Sequence, residues 1–234
     1  MKEKRKNIDR TNLHAGTFSL WLHNIRKALL ENRGITVRCG ECDACCRSSY
    51  FIHIKPEESK TFGRIPKELL FPAPLRPEGH MVMGYDEQGR CPMLVRNKCS
   101  IYRYRPATCR LFDCRILAAS GLDLDNNDNN LIIRQARRWK FGYPTKRDHN
   151  LLSAVQHAAA FLIRRPECVQ NILVPRDAIQ ISVLAIKVCD VFLKNIVVSN
   201  SAEKVIRDSE IANKVLKSYE RFEQRKCTVS SGTP

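Results

Sequence analysis

The sequence predicts an α+β protein, helix-dominated overall, in which a small irregular cysteine-rich core with short strands packs against several α-helices. Three observations predict it. Eight of the eleven cysteines fall between Cys39 and Cys114, among β-rich runs and turn residues. Apolar residues at helical spacing flank that stretch on both sides. Finally, 234 residues with 43% hydrophobic side chains are enough for one large domain or a compact domain with an appendage, and wholesale disorder is excluded.

Taken in order, Thr17 or Ser19 is suited to cap a first helix ending near Asn32, with Leu20, Trp21, His23, Ile25, Leu29 and Leu30 as a ragged apolar stripe and Gly34 as its stop. Residues 50–54 are rich in β-formers and predict a short strand. Lys55-Pro56-Glu57-Glu58 resembles a helix start, with proline at the first position and acids in the first turn. The prolines of 71–77 forbid a helix or a central strand. A strand over 80–85 and a turn at 86–89 then deliver Cys91, and a second short strand is expected over 99–102. Arg105-Pro106 opens a helical segment carrying Cys109 and Cys114.

The Asn- and Asp-rich stretch 121–130 marks a domain edge. Everything beyond it reads as helical: a short basic segment at 131–141, a helix capped by Asp148 and stopped by Pro166, a buried helix over 176–194, and a last helix from a Ser201 cap that frays after Arg225. The organisation expected is a basic N-terminal helix (1–34), a cysteine-cluster domain (35–120), a helical C-terminal region (131–226) and a flexible tail (227–234).

The formal charge of +16 is unevenly spread. Residues 1–38 carry a net +6, residues 39–130 only +1 and residues 131–234 a net +9. Basic flanks of this kind suit an acidic protein or RNA partner. Compensation of negative thiolates in the middle explains them equally well. No apolar h-region follows the charged start, and Arg176, Asp177, Lys187, Asp190 and Lys194 interrupt the most apolar stretch, so neither a secretory signal nor a transmembrane segment is expected. A cytoplasmic location follows as the expectation. In such a reducing compartment, concentrated cysteines bind metal more often than they form disulfides.

The first cysteine group is Cys39-x2-Cys42-x2-Cys45-Cys46. Two-residue intervals let a tight loop aim successive sulfurs at one ion, at about 2.3 Å for zinc. The same cadence holds many iron–sulfur clusters. Spacing therefore points to thiolate ligation and leaves the metal open.

The second group reads Cys91-Pro-Met-Leu, Cys99-Ser-Ile-Tyr102, Arg105-Pro106, Cys109-Arg110-Leu-Phe112 and Cys114. The ordered set CxxCxxCC, CPxL, CxIY, RP and CRxF resembles the YkgJ-type cysteine-cluster family, a family of zinc- or iron-chelating domains. The likeness covers about residues 38–115, a third of the chain. It implies metal ligation by Cys39, Cys42, Cys45, Cys46, Cys91, Cys99, Cys109 and Cys114, with the last position the looser part of the pattern.

Around these ligands, Arg105 and Arg110 can bring guanidinium donors near the sulfurs and stabilise thiolates. Tyr102 and Phe112 would pack over the site, although plain core is the stronger reading for both. His53 and His80 could complete a mixed site but are not needed. Cys168, Cys189 and Cys227 are not expected to be ligands.

Arg134, Arg137, Arg138 and Lys140, interleaved with Trp139, Phe141 and Tyr143, are the best candidate for nucleic-acid contact. A solvated helix face with its aromatics tucked inward explains them better. No catalytic constellation, phosphate loop or dinucleotide fingerprint is present.

The leading reading is thus a metal-binding protein holding iron, favoured as an iron–sulfur cluster or iron ions on the cadence of the first cysteines, with zinc as the alternative. The competitors are an enzyme and an RNA-binding protein with a structural metal. The enzyme reading rests on the resemblance, since some proteins resembling the family are protein lysine methylases.

Overall fold

In a computed structural model the described residues are 12–35, 37, 41–122, 130–169, 177–193 and 203–230, with side chains at 168–169, 203–207 and 226–230 left aside. The chain is α+β and helix-dominated, as expected, with a few short strands in small sheets. Strand β1 (Leu13–Thr17) leads into α1 (Phe18–Glu31). The cysteine-rich stretch holds β2 (Ile52–Ile54), α2 (Ser59–Phe62), β3 (Leu70–Pro72), β4 (Met81–Met83), β5 (Leu94–Val95), β6 (Lys98–Cys99) and α3 (Ala107–Leu111). Helices α4 (Arg115–Ser120) and α5 (Leu131–Arg138), strand β7 (Trp139–Gly142), α6 (Lys146–Arg164), α7 (Ala178–Val188), α8 (Asp190–Leu193) and α9 (Glu203–Ser230) follow. Among the described residues no helix is long and apolar enough to cross a membrane.

Several local expectations shift. The segment 131–141 is not one helix. Alternating Trp139 (buried) and Lys140 (exposed) have β character, and the chain turns extended to pair in parallel with β1, Leu13 opposite Trp139. Local periodicity could not see this pairing, because the partner strand is remote in the sequence, near its start. Gly16, at φ +92°, absorbs the register shift within β1.

Residues 55–58 form a turn, and α2 begins only at Ser59. The strand expected over 99–102 is confined to Lys98–Cys99, and Tyr102–Tyr104 winds into a 3-10 turn. Pro72 lies on the edge strand of the β2-β4-β3 sheet, where its missing N–H costs no ladder bond. Asp148 is not the cap of α6. Thr145 caps it, with Asp148 at the third helical position in a reciprocal capping box. Helix α9 continues past Arg225 to Ser230. The Ser201 cap, the ends of the 176–194 helix and positions 123–129 of the Asn/Asp stretch lie outside the described residues.

Two apolar cores result. The larger joins α1 (Phe18, Trp21, Ile25), α4 and the C-terminal helices, with Phe161, Leu162, Ile186, Val188 and Val215 fully inside. A buried hydroxyl pair, Ser120 and Ser182 at 2.8 Å, links α4 to α7. Arg26 grips Asp190 through two 2.6 Å contacts, so α1 is fastened to α8. The smaller core, Ile54, Ile65, Met83, Met93 and Ile101, sits beneath the cysteine-rich stretch and packs against Cys91 and Cys99.

Asp113 ties the end of the cysteine-rich stretch into the larger core. Its carboxylate is fully buried and accepts the Trp21 indole N–H at 3.0 Å and the Arg115 guanidinium at 2.7 Å. Arg115 also donates to the Ala15 carbonyl at 3.3 Å, and its guanidinium lies over Trp139. One carboxylate therefore fixes the start of α4 against α1, β1 and β7.

Two predictions follow from this packing. Asp113→Ala strips Arg115 and Trp21 of a buried acceptor and should cost about 3–5 kcal/mol in urea unfolding; a loss under about 1 kcal/mol would show that the tie is not made there. The second concerns acid stability. Hydrogen bonds from Thr145 and Ser19 hold the Asp148 carboxyl well below the ordinary carboxylate range. A depressed folded pKa adds stability that is full above about pH 4 and is lost as pH falls through the folded value. Asp148→Asn should be less stable at neutral pH and should show a shallower acid limb than the parent; parallel acid limbs would refute this.

Candidate metal centre

The first cysteines sit in a loop wound tightly by its own polar residues. Ala44–Arg47 forms a 3-10 turn in which the Cys46 N–H donates to the Asp43 carbonyl at 2.9 Å. Arg47 bonds back to Asp43 at 2.7 Å and across to Asn97, also at 2.7 Å. The latter bond ties the loop to the β5–β6 hairpin. That hairpin turns through Arg96 and Asn97, both at positive φ as a two-residue hairpin turn of this hand demands. It sets Leu94 opposite Cys99.

Two backbone bonds complete the seam: Cys91 N–H to the Cys46 carbonyl at 2.7 Å, and Ser49 N–H to the Gly89 carbonyl at 3.0 Å. Gly89, at φ +74°, is required here, since a Cβ would stand 2.2 Å from the Ser49 hydroxyl.

The third segment, α3, is placed by Glu58, which the local sequence marks only as a helix-start acid. Glu58, nearly buried, accepts the Ala107 N–H at 2.6 Å and the Lys55 N–H at 3.0 Å, and it pairs with Arg110 at 3.4 Å. It thereby satisfies an orphan donor at the start of α3 and aims the helix that carries Cys109. Glu three residues after Lys55 in a would-be helix start was the available signal, but its long-range acceptor role was not legible.

Cys46 from the first loop, Cys91 and Cys99 from the hairpin and Cys109 from α3 come within electrostatic reach of one another. Pairing with the Cys91 sulfur, then burial, pushes Cys46 up, whereas the same pairing lowers Cys91 to about 7, helped by the Met93 N–H. Burial, with the neighbouring Cys91 and Cys99 sulfurs, pushes Cys109 up to about 12. Burial likewise raises Cys99. Exposed Cys45 adds its field at Cys46. Cys46, Cys91, Cys99 and Cys109 are unbridged thiols.

The remaining cysteines have different surroundings. Cys42 packs on the larger core, where burial raises it and the Arg138 cation opposes the rise. Cys114 is buried in the same core and accepts the Trp139 indole N–H at 3.3 Å. Cys39 lies outside the described residues, as do the side chains of Cys168 and Cys227. Cys189 is buried at the α7–α8 junction, its thiol donating to the Ile186 carbonyl at 3.4 Å. In the side-chain arrangement present, no group of three or more His, Cys, Asp or Glu side chains among the described residues stands ready to hold a metal ion.

The flanking residues sort by contact. Arg105 lowers the cost of charge on Cys99 and Cys109, while its guanidinium lies 4.0 Å over the Tyr102 ring. Tyr102 itself is 60% exposed, so it is neither core nor a cover over the sulfurs. Arg110 points to the Arg105 carbonyl at 2.5 Å and to Glu58. Phe112 packs on the larger core. His53 Nε2 and His80 Nδ1 lie 2.8 Å apart, each imidazole partnering the other.

On the basic stretch, Arg134, Arg137 and Lys140 face outward, but the interleaved rings do not. Trp139 is buried, and Phe141 packs edge-on to Phe18 at 5.1 Å. No base could stack on those two rings.

The fold and this constellation define a helix-dominated α+β protein that carries a thiol cluster on a small second core. Residues 38–135 match the CxxCxxCC family model, described as "Putative zinc- or iron-chelating domain". This segment carries the motif of that cysteine-cluster family, and the match supports metal binding through the cysteines. No curated protein and no solved structure matches the chain.

The sulfur environments order the thiols by reactivity in metal-free protein. Limited iodoacetamide treatment at pH 7, read by peptide mass spectrometry, should label Cys91 ahead of Cys99 and Cys109; Cys109 labelled first would contradict the arrangement.

Proposed function

We propose that the protein holds a metal through thiolates of Cys46, Cys91, Cys99 and Cys109, with Cys45 at the rim and Cys39, Cys42 and Cys114 as the wider ligand set. The observation that carries the reading is the convergence of Cys46 with Cys91, Cys99 and Cys109, sulfurs of separate segments within electrostatic reach, with the Cys91 N–H bonded to the Cys46 carbonyl at 2.7 Å. A thiophilic cation among these sulfurs would relieve their mutual repulsion and would release protons as it binds. Thiolates are the donors that iron and zinc share, and Arg105 supplies a nearby positive charge to offset theirs. Four sulfurs suit either metal. The Cys39, Cys42, Cys45 cadence favours iron as a cluster. A cytoplasmic location suits thiolate ligation of this kind.

Purification without air, with metal analysis and optical and EPR spectra, tests this. Expected is bound iron with a cluster spectrum. Cys109→Ser should lose most of the metal, and Cys189→Ser should keep it. Colourless protein with stoichiometric zinc would remove the iron assignment. Protein with no bound metal, unchanged in unfolding by chelator, would remove the whole reading.

A further inference from the structure

Beside the cysteine cluster lies a cavity of about 630 Å³ whose walls carry Lys60, Arg64, Arg103 and Arg110, with Thr61, Gly63 and Tyr104 between them. Three elements meet there: α2 with its closing turn, the 3-10 turn Tyr102–Tyr104, and α3. No carboxylate lines it. Arg110 alone of the four has an acidic partner, Glu58. Among the described residues Lys60, Arg64 and Arg103 stand in no ion pair.

This concentration is not a consequence of overall composition, because residues 39–130 carry only a net +1. Four cations facing one concavity repel one another, and a low-dielectric wall strengthens their field on whatever enters. The frame is built rather than loose. Thr61 Oγ1 donates to the Tyr104 carbonyl at 2.8 Å, and the Arg64 guanidinium lies 4.8 Å from the Tyr104 ring centre.

We infer that this cavity binds a small organic polyphosphate of nucleotide size. Its volume falls in the range of small-molecule sites, about 300–1,000 Å³. The Arg64 and Arg103 guanidinium forks match phosphate oxygens better than point charges would, Arg110 being held by Glu58 and the Arg105 carbonyl. A single phosphate, at about −1.5 to −2, leaves such a site undercompensated, whereas two in a chain approach the three positive charges of Lys60, Arg64 and Arg103 that no acid offsets. The inference is independent of the metal, since none of the four cations is one of the proposed ligands.

The test is calorimetric titration of the full chain with inorganic pyrophosphate, ADP, AMP and a short single-stranded oligonucleotide, with metal content read on the same samples. Pyrophosphate and ADP should bind saturably, and AMP more weakly. Arg64→Ala with Arg103→Ala should weaken pyrophosphate at least about tenfold, the order expected when a charge-assisted hydrogen bond is lost, while metal content stays unchanged. Arg103→Glu, a change on an exposed side chain, should do the same if the double variant folds poorly. Three results would overturn the inference: no saturable binding of pyrophosphate or ADP, equal binding by a folded variant, or binding of the oligonucleotide alone.

Discussion

The buried carboxylate of Asp113 is the constraint on which the rest of this architecture depends. It lies between the last cysteines of the motif and the start of α4, and its partners come from α1 and from Arg115 beside it. Through Arg115 the same group reaches the Ala15 carbonyl of β1 and the face of Trp139. That acid shares the fastening of α3 to the larger helical core with the Ile35 N–H, which donates to the Arg110 carbonyl at 2.8 Å, and with Phe112 packed on that core. A fully desolvated charge is tolerable because every strong interaction it needs is already in place.

From that anchor the cysteine-rich stretch builds outward with little apolar material. Its own core is five buried side chains. A core of this size gives limited stability, so polar ties carry much of the order: Arg47 to Asn97, Glu58 to Ala107, and Cys91 to Cys46 along the backbone. The same economy crowds sulfurs together. Crowding makes the thiolates costly one at a time, visible in Cys46 and Cys109 being pushed up, and makes a shared cation the natural relief. The basic cavity next to this cluster is the opposite electrostatic case, with cations crowded and no acid among its walls.

How far the sequence could be read differed by element. Helix α1 was legible because its apolar spacing is a local signal, although the Thr17 side chain makes no capping bond and Asn32 in the left-handed region, not Gly34, closes it. Chain-distant relations were not. The β1–β7 pair joins Leu13 to Trp139, and neither run is long enough to announce a strand alone. Tyr102 carries a core-like residue type and yet stands exposed under Arg105, because its short 3-10 turn points it outward. Glu58 looked like a helix-start acid and proved to be an acceptor for another element. The aromatics of 139–143 illustrate the reverse. Their interleaving with arginines suggests a surface, and the strand alternation of β7 turns Trp139 into the core.

By itself the sequence determined the fold class, the cysteine-cluster family of the segment and the types of donor it offers, because these reside in composition and in spacings of a few residues. Only the tertiary structure decided which cysteines meet: Cys46 with Cys91, Cys99 and Cys109, and Cys42 and Cys114 against the helical core. Neither sulfur proximity nor a cavity ringed by cations is encoded by any local pattern. Both arise when separate segments are drawn together by buried polar and apolar contacts, and the chain order carries no trace of that distance.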